Sequence, residues 1–194
     1  MIIFEHRINS IAALEKVPLS RGVEFDVRLN HGSLVTAHSP FEPGDSLVDF
    51  LKFVGGRPLI VNIKEEGIED LVIKLLGEND VLNYFLLDVS FPYLIKFAQQ
   101  GFTRIATRAS EFEDSKALQM TGSDWCWLDS FGDDFGHCVE TIKLANEVGS
   151  KVCLVSPELH DLGRVNLVSD LQQLLKIHGL RLDGVCTKYP DLWL

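Results

Sequence analysis

Apolar residues in this chain gather in short runs of strand length, separated by segments of helical period or rich in turn residues. Eight runs stand out: residues 2–7 (IIFEHR), 23–29 (VEFDVRL), 59–64 (LIVNIK), 84–90 (YFLLDVS), 104–110 (RIATRAS), 125–130 (WCWLDS), 151–158 (KVCLVSPE) and 184–190 (GVCTKYP). Amphipathic stretches lie between them at 46–56, 67–79, 92–101, 138–150 and 167–179, several closing on Gly as helix C-termini commonly do. Strands alternating with helices predict right-handed βαβ units and a parallel sheet, and eight such units predict a closed barrel. The expected fold class is therefore α/β, a compact TIM-type (β/α)8 barrel in one domain over residues 1–194, with the last helix absent or minimal. A doubly wound open sheet is the alternative, but no GxGxxG or GxxxxGK[ST] loop is present to mark one.

The polar positions inside those runs carry the chemistry. In GVEFDVRLNHGSLVTAHSP (22–40), Glu24 and Asp26 interrupt an apolar strand two residues apart, so both carboxylates leave the same face while Val23, Phe25 and Val27 leave the other. The same period places Asn62 and Lys64 together on the next strand, and Asp88, Arg108, Asp129 and Glu158 near the carboxy ends of later ones, where barrels of this kind build their sites. Ion pairs that merely plug the barrel explain any one of these charges as well as function does; they explain the whole set poorly, because Val, Ile and Leu would fill the same space.

Two carboxylates side by side suit oxygen ligation of a hard cation, Mg2+ or Ca2+, and Asn62 offers a third oxygen. His6 and His38 flank that position as groups able to pass protons near neutral pH, and Arg7 and Lys64 suit phosphate oxygens. His31, His137, His160 and His178 lack such company and read as packing or surface residues. Phe41, Phe91, Trp127, Phe131 and Tyr189 line a pocket for an apolar or sugar portion of a substrate, or else cap the core or sit exposed on loops.

Composition narrows the partners. Acidic residues outnumber basic ones 28 to 18, for a net charge of −10, with no Lys/Arg run, which argues against nucleic acid or an anionic membrane surface. No apolar segment approaches the ~18 residues of a membrane span, and Glu5, His6 and Arg7 interrupt the apolar start that a signal peptide needs, so a cytoplasmic protein is expected. Cys126, Cys138, Cys153 and Cys186 are far apart with no CxxC pair and read as reduced core residues.

In order along the chain, His6-Arg7, Glu24-Phe25-Asp26 and His38 resemble the HR, ExD, H signature of the glycerophosphodiester phosphodiesterase family, related to the phosphoinositide-cleaving phospholipases. LIVNIKEEG (59–67) looks like that family's third strand and GVCTKYPDL (184–192) like its closing one. The resemblance implies a metal-dependent phosphodiester hydrolase for a glycerophosphodiester or similar small phosphodiester. Glu24, Asp26 and Asn62 would hold Mg2+ or Ca2+, Arg7 and Lys64 the phosphate, and His6 and His38 would form the acid–base pair, in either assignment. A lyase variant releasing a cyclic phosphate belongs to the same class.

The chain departs from the family pattern at four places. Asn62 stands where a Glu is usual, which lowers the expected metal affinity. Ile8 replaces a Gly, the usual insertion after strand two is missing, and no full helix follows strand eight. These departures support a second reading, a weakened barrel that binds a phosphorylated ligand without efficient turnover. Lys188 stands where the family has an acidic or amide residue, with Asp129, Glu158 or an anionic substrate as its candidate partners. Asp88, Arg108, Asp129, Glu158 and Lys188 complete the possible rim.

Overall fold

The computed structural model describes residues 1–194, which divide into two compact units: Phe4–Ser90, and Met1–Ile3 with Phe91–Leu194. In the first, β1 (Ile2–Glu5, shared with the other unit) leads through a single-turn helix α1 (Ile11–Leu14) into the nine-residue strand β2 (Gly22–Asn30). The chain turns back at His31 and Gly32, both in the left-handed region, into β3 (Ser33–Thr36), and β4 (Asp45–Ser46) adds a second antiparallel pair. Then come α2 (Leu47–Leu51), β5 (Leu59–Ile63), α3 (Glu69–Glu78) and β6 (Tyr84–Leu87).

β1, β2, β5 and β6 pair in parallel, and the register sets Asp26 opposite Asn62. One face of β2 is apolar and fully buried: Val23, Phe25 and Val27 have no exposed surface, and the Phe25 ring lies 4.7 Å from that of Phe50 on α2. The alternate face carries Glu24 and Asp26, each 1% exposed. The two-residue period expected from sequence is therefore the arrangement of the strand.

The second unit continues with α4 (Phe91–Gln99), β7 (Ala106–Ala109), α5 (Ala117–Thr121), β8 (Trp125–Leu128), α6 (Gly136–Val148), β9 (Lys151–Val155), α7 (Leu167–Ile177) and β10 (Gly184–Thr187). Its strands pair in parallel in the order β10, β9, β8, β7, and Ile2 of β1 bonds to Asp183 beside β10. The core lies between strands and helices, with Cys126, Leu128, Ile142, Leu154, Leu171 and Val185 all fully buried. α5 and α6 stop at Gly122 and Gly149, both left-handed, the conformation that ends a helix most cheaply in a residue without Cβ.

All eight expected strands are present, most ending two or three residues earlier than the apolar runs, because the polar residues that close each run already belong to loops. The tight turn and second extended piece that residues 22–40 read as in sequence are the turn at His31 and Gly32 and β3. Strand β4 and the short helices α1 and α5 were not expected; β4 spans two residues and α1 one turn, too short for a periodicity to register. After β10 the chain makes only a 3-10 turn, Pro190–Trp193.

Candidate active site

The site residues of the first unit meet at the carboxy ends of β1 and β5 and the middle of β2. Glu24 is the hub: its Oε1 accepts from Asn62 Nδ2 at 2.9 Å, its Oε2 from the Arg7 backbone N–H at 2.7 Å, and His6 Nε2 stands 3.8 Å from Oε2. Asp26 Oδ2 accepts from Asn9 Nδ2 at 2.7 Å and lies 3.8 Å from Arg7 Nε, while Oδ1 lies 3.4 Å from Lys64 Nζ. Lys64 also reaches Asp88 Oδ2 at 3.1 Å. Arg7 and Asp88 hold left-handed backbones, with φ of 56° and 57°, an uncommon conformation outside Gly that functional sites tend to retain.

Burial, and then the neighbouring Asp26 carboxylate, push the Glu24 carboxyl up from an ordinary 4.5 to about 7, against the opposing bonds from Asn62 and Arg7 and the Lys64 cation. Asn62 Oδ1 is buried without a hydrogen-bond donor. No three His, Cys, Asp or Glu side chains converge as a metal cluster, so any cation site here is two carboxylates and one amide. The orphaned amide oxygen beside two carboxylates is a donor set of the kind a hard cation takes.

His38 lies beyond β3, its backbone carbonyl accepting from Arg28 Nε at 2.8 Å and its Nδ1 3.5 Å from Ser39 Oγ. It shares with Arg7, Asn9 and Glu42 an open, mainly polar cavity of about 340 Å³. Sequence reasoning missed Asn9. This residue brackets Asp26 from both sides, Nδ2 donating to the carboxylate and Oδ1 accepting from the Asp26 backbone N–H at 2.8 Å, while Thr36 Oγ1 donates to the Asn9 carbonyl at 2.9 Å. The only signal was a polar residue just past the first strand. Asp88, expected on the rim, belongs to this group through Lys64.

The other rim residues form two clusters in the second unit. Asp129 accepts from His160 Nε2 at 2.5 Å, from Arg108 Nη2 at 3.3 Å and from the Ser130 backbone N–H at 2.9 Å; His160 stacks on Phe131 at 4.6 Å. His160, set aside from sequence as packing or surface, is thus held by a buried carboxylate. Glu158 makes no ion pair and is held by Ser156 Oγ, by Thr187 Oγ1 at 2.6 Å and by the Lys188 backbone N–H at 3.1 Å. The Lys188 side chain is exposed and pairs with neither Asp129 nor Glu158; it is the Lys188 backbone N–H that donates to Glu158. Of the aromatic candidates, Trp127 is buried, whereas Phe41, Phe91, Phe131 and Tyr189 are exposed. All four cysteines are free and buried, and burial pushes the Cys126 and Cys138 thiols up to about 12.

Among solved structures, the chain superimposes on a glycerophosphodiester phosphodiesterase from Thermotoga maritima with a TM-score of 0.71 at 15% identity, over 100% of this chain and 96% of that one. It superimposes on one from Parabacteroides distasonis with a TM-score of 0.70 at 14% identity, over 97% of this chain and 94% of that one. The chain has the fold of the glycerophosphodiester phosphodiesterases. The expected fold class, α/β of TIM type, stands. A phosphoribosyl anthranilate isomerase from Thermus thermophilus shares the architecture more distantly, with a TM-score of 0.56 at 12% identity over 96% of this chain and 86% of that one, so the fold also carries other chemistry. No family model and no curated protein matches the sequence.

Proposed function

We propose that the protein is a metal-dependent phosphodiester hydrolase acting on a glycerophosphodiester or a similar small phosphodiester. The observation that carries this reading is the pair of buried carboxylates on β2, Glu24 and Asp26, with a histidine, an unsatisfied amide oxygen and two cations around them. Glu24, Asp26 and Asn62 would hold Mg2+ or Ca2+. Such a cation, when bound, offsets the negative charge that develops on the phosphoryl oxygens.

The chain's own residues perform the proton transfers. His6 takes the proton of the attacking hydroxyl at Nε2, its Nδ1 being buried, and the Glu24 carboxylate 3.8 Å from Nε2 stabilises the imidazolium that results. A new P–O bond forms at phosphorus as the P–O bond to the leaving alcohol breaks, and His38 gives that alkoxide its proton. His38 suits this role because it opens onto the polar cavity where a leaving alcohol fits. Arg7 and Lys64 orient the non-bridging oxygens. The attacking hydroxyl is water, giving a monoester, or a hydroxyl of the substrate, giving a cyclic phosphate.

The reading treats the whole chain as one phosphodiesterase-like domain in the cytoplasm, where four unpaired cysteines stay reduced, and assigns it neither a nucleic-acid nor a membrane partner, in keeping with its net charge of −10. No helix is long and apolar enough to cross a membrane. A second reading, a barrel that binds a phosphorylated ligand without turning it over, is favoured by one observation: internal donors already occupy both oxygens of Glu24 and of Asp26.

31P NMR separates the two. A panel of glycerophosphodiesters and sugar phosphodiesters is incubated with the protein in Mg2+, in Ca2+ and in chelator. Hydrolysis predicts a monoester or cyclic phosphate resonance that vanishes with chelator and falls about 10²–10⁴-fold in His6→Ala and His38→Ala. Intact diesters with saturable shifts support the binding protein, and turnover retained in His38→Ala overturns the acid–base assignment.

A further inference from the structure

The first unit has a second cavity, just ahead of β5 and β6 and therefore at the opposite strand ends from the candidate active site. It measures about 310 Å³, and its walls include Val54, Gly56, Arg57, Asp80 and Asn83. Arg57 is the unusual member. Only 5% of it is exposed, yet it forms no ion pair with any carboxylate.

Two of its donors serve the backbone: Nε bonds the Val54 carbonyl at 2.9 Å and Nη1 the Val17 carbonyl at 3.1 Å. A guanidinium has five N–H donors, so three remain. Glu5 exerts a distant attraction on Arg57, but its own Oε1 is taken by Arg21 Nη1 at 2.8 Å. Asp80 shares the cavity wall without pairing to Arg57, and it is exposed, so water screens its charge. A buried cation without a counter-ion is costly. The two carbonyls lie just past the ends of α1 and α2, where a cation is favoured, but they occupy only Nε and Nη1 and leave Nη2 without a protein partner. The adjoining cavity is where the missing anion has room, and Gly56, with nothing within 4 Å of the position its Cβ would take, leaves that wall open.

We propose that this cavity is a second ligand site, separate from the phosphodiester site, which binds the carboxylate or phosphate group of a small molecule through Arg57. The planar fork of the guanidinium matches either oxyanion in two-point fashion.

The test is a titration of the full chain with succinate and, separately, with inorganic phosphate at constant ionic strength, followed through the 1H–15N resonances of Gly55, Gly56 and Arg57. The expected result is saturable movement of these resonances with succinate and with phosphate. It persists in Lys64→Ala, which weakens any phosphate binding at the other site. Asn83→Asp places a competing carboxylate on the cavity wall and is expected to weaken succinate at least tenfold. Arg57→Gln retains an N–H donor without the charge and, where it folds, is expected to abolish the shifts. Shifts that fail to saturate, that follow Lys64 instead, or that are unchanged by Asn83→Asp overturn the proposal, and Asn83→Asp decides the matter if Arg57→Gln does not fold.

Discussion

At the residue scale, Glu24 joins folding to function through its proton. With its carboxyl pushed from 4.5 to about 7, the folded chain holds this proton over a pH range in which the unfolded chain has released it. Stability from this group is thus present in full below about pH 4.5 and is lost as pH rises through 7, a difference on the order of 3 kcal/mol. Glu24→Gln removes the penalty: the Gln carbonyl still accepts from Arg7, and a flipped Asn62 turns its unsatisfied Oδ1 toward the new amide N–H. The expected outcome is a variant more stable than the parent by about 1–3 kcal/mol at pH 8, with the gap closing towards pH 4.5, and without turnover. Urea unfolding at the two pH values and a diester assay check both parts; a variant less stable at pH 8 would show that the carboxylate is not under strain. The alternation that puts Glu24 beside Asp26 was legible in the sequence. Its raised proton affinity was not, because that depends on burial and on partners 17 and 38 residues away.

At the scale of elements, the site rests on a strand that no periodicity announced, β4. β3 and β4 position the chain around His38, and Asp45 of β4 accepts from the Ile11 backbone N–H at 2.6 Å, fixing the start of α1 behind the His6-Arg7 segment. Gly44 makes this possible, since a Cβ there would stand 2.3 Å from the Thr36 carbonyl oxygen, in backbone that cannot give way cheaply. Gly44→Ala should therefore force β4 off Thr36, costing about 1–3 kcal/mol, and should lower diester turnover at least tenfold through the displaced His38 and Asn9. A thermal melt and a kinetic assay on the same preparation test this, and an unchanged kcat/KM would mean that the hairpin does not position the site. The eight main strands were readable because each buries a run long enough to set a period. β4 is held by backbone pairing and close approach, and two residues carry no period.

For the whole molecule, the likeness to known phosphodiesterases at 14–15% identity shows what a sequence must retain to keep a fold: the order and spacing of apolar runs, while most side-chain identities change. What the chain keeps in addition is a concentration of charge that its packing does not need, and the response of the whole protein to cations exposes it. The proposed ligands must be deprotonated to bind a divalent ion, so binding competes with the proton on Glu24. At pH 8 and a hundredfold excess over its dissociation constant, Mg2+ or Ca2+ should stabilise the fold by about 2.7 kcal/mol, or roughly 5–11 °C in Tm for a chain of this size. At pH 5.5, where Glu24 is protonated, the same addition should do much less. A molecule of net charge −10 also attracts cations without specificity, so the discriminating variant is Asp26→Asn measured at matched ionic strength. Loss of the pH 8 increment in that variant assigns the effect to β2. An increment that survives belongs to the diffuse charge of the surface, and the phosphodiesterase reading would then have to dispense with a metal held by Glu24 and Asp26.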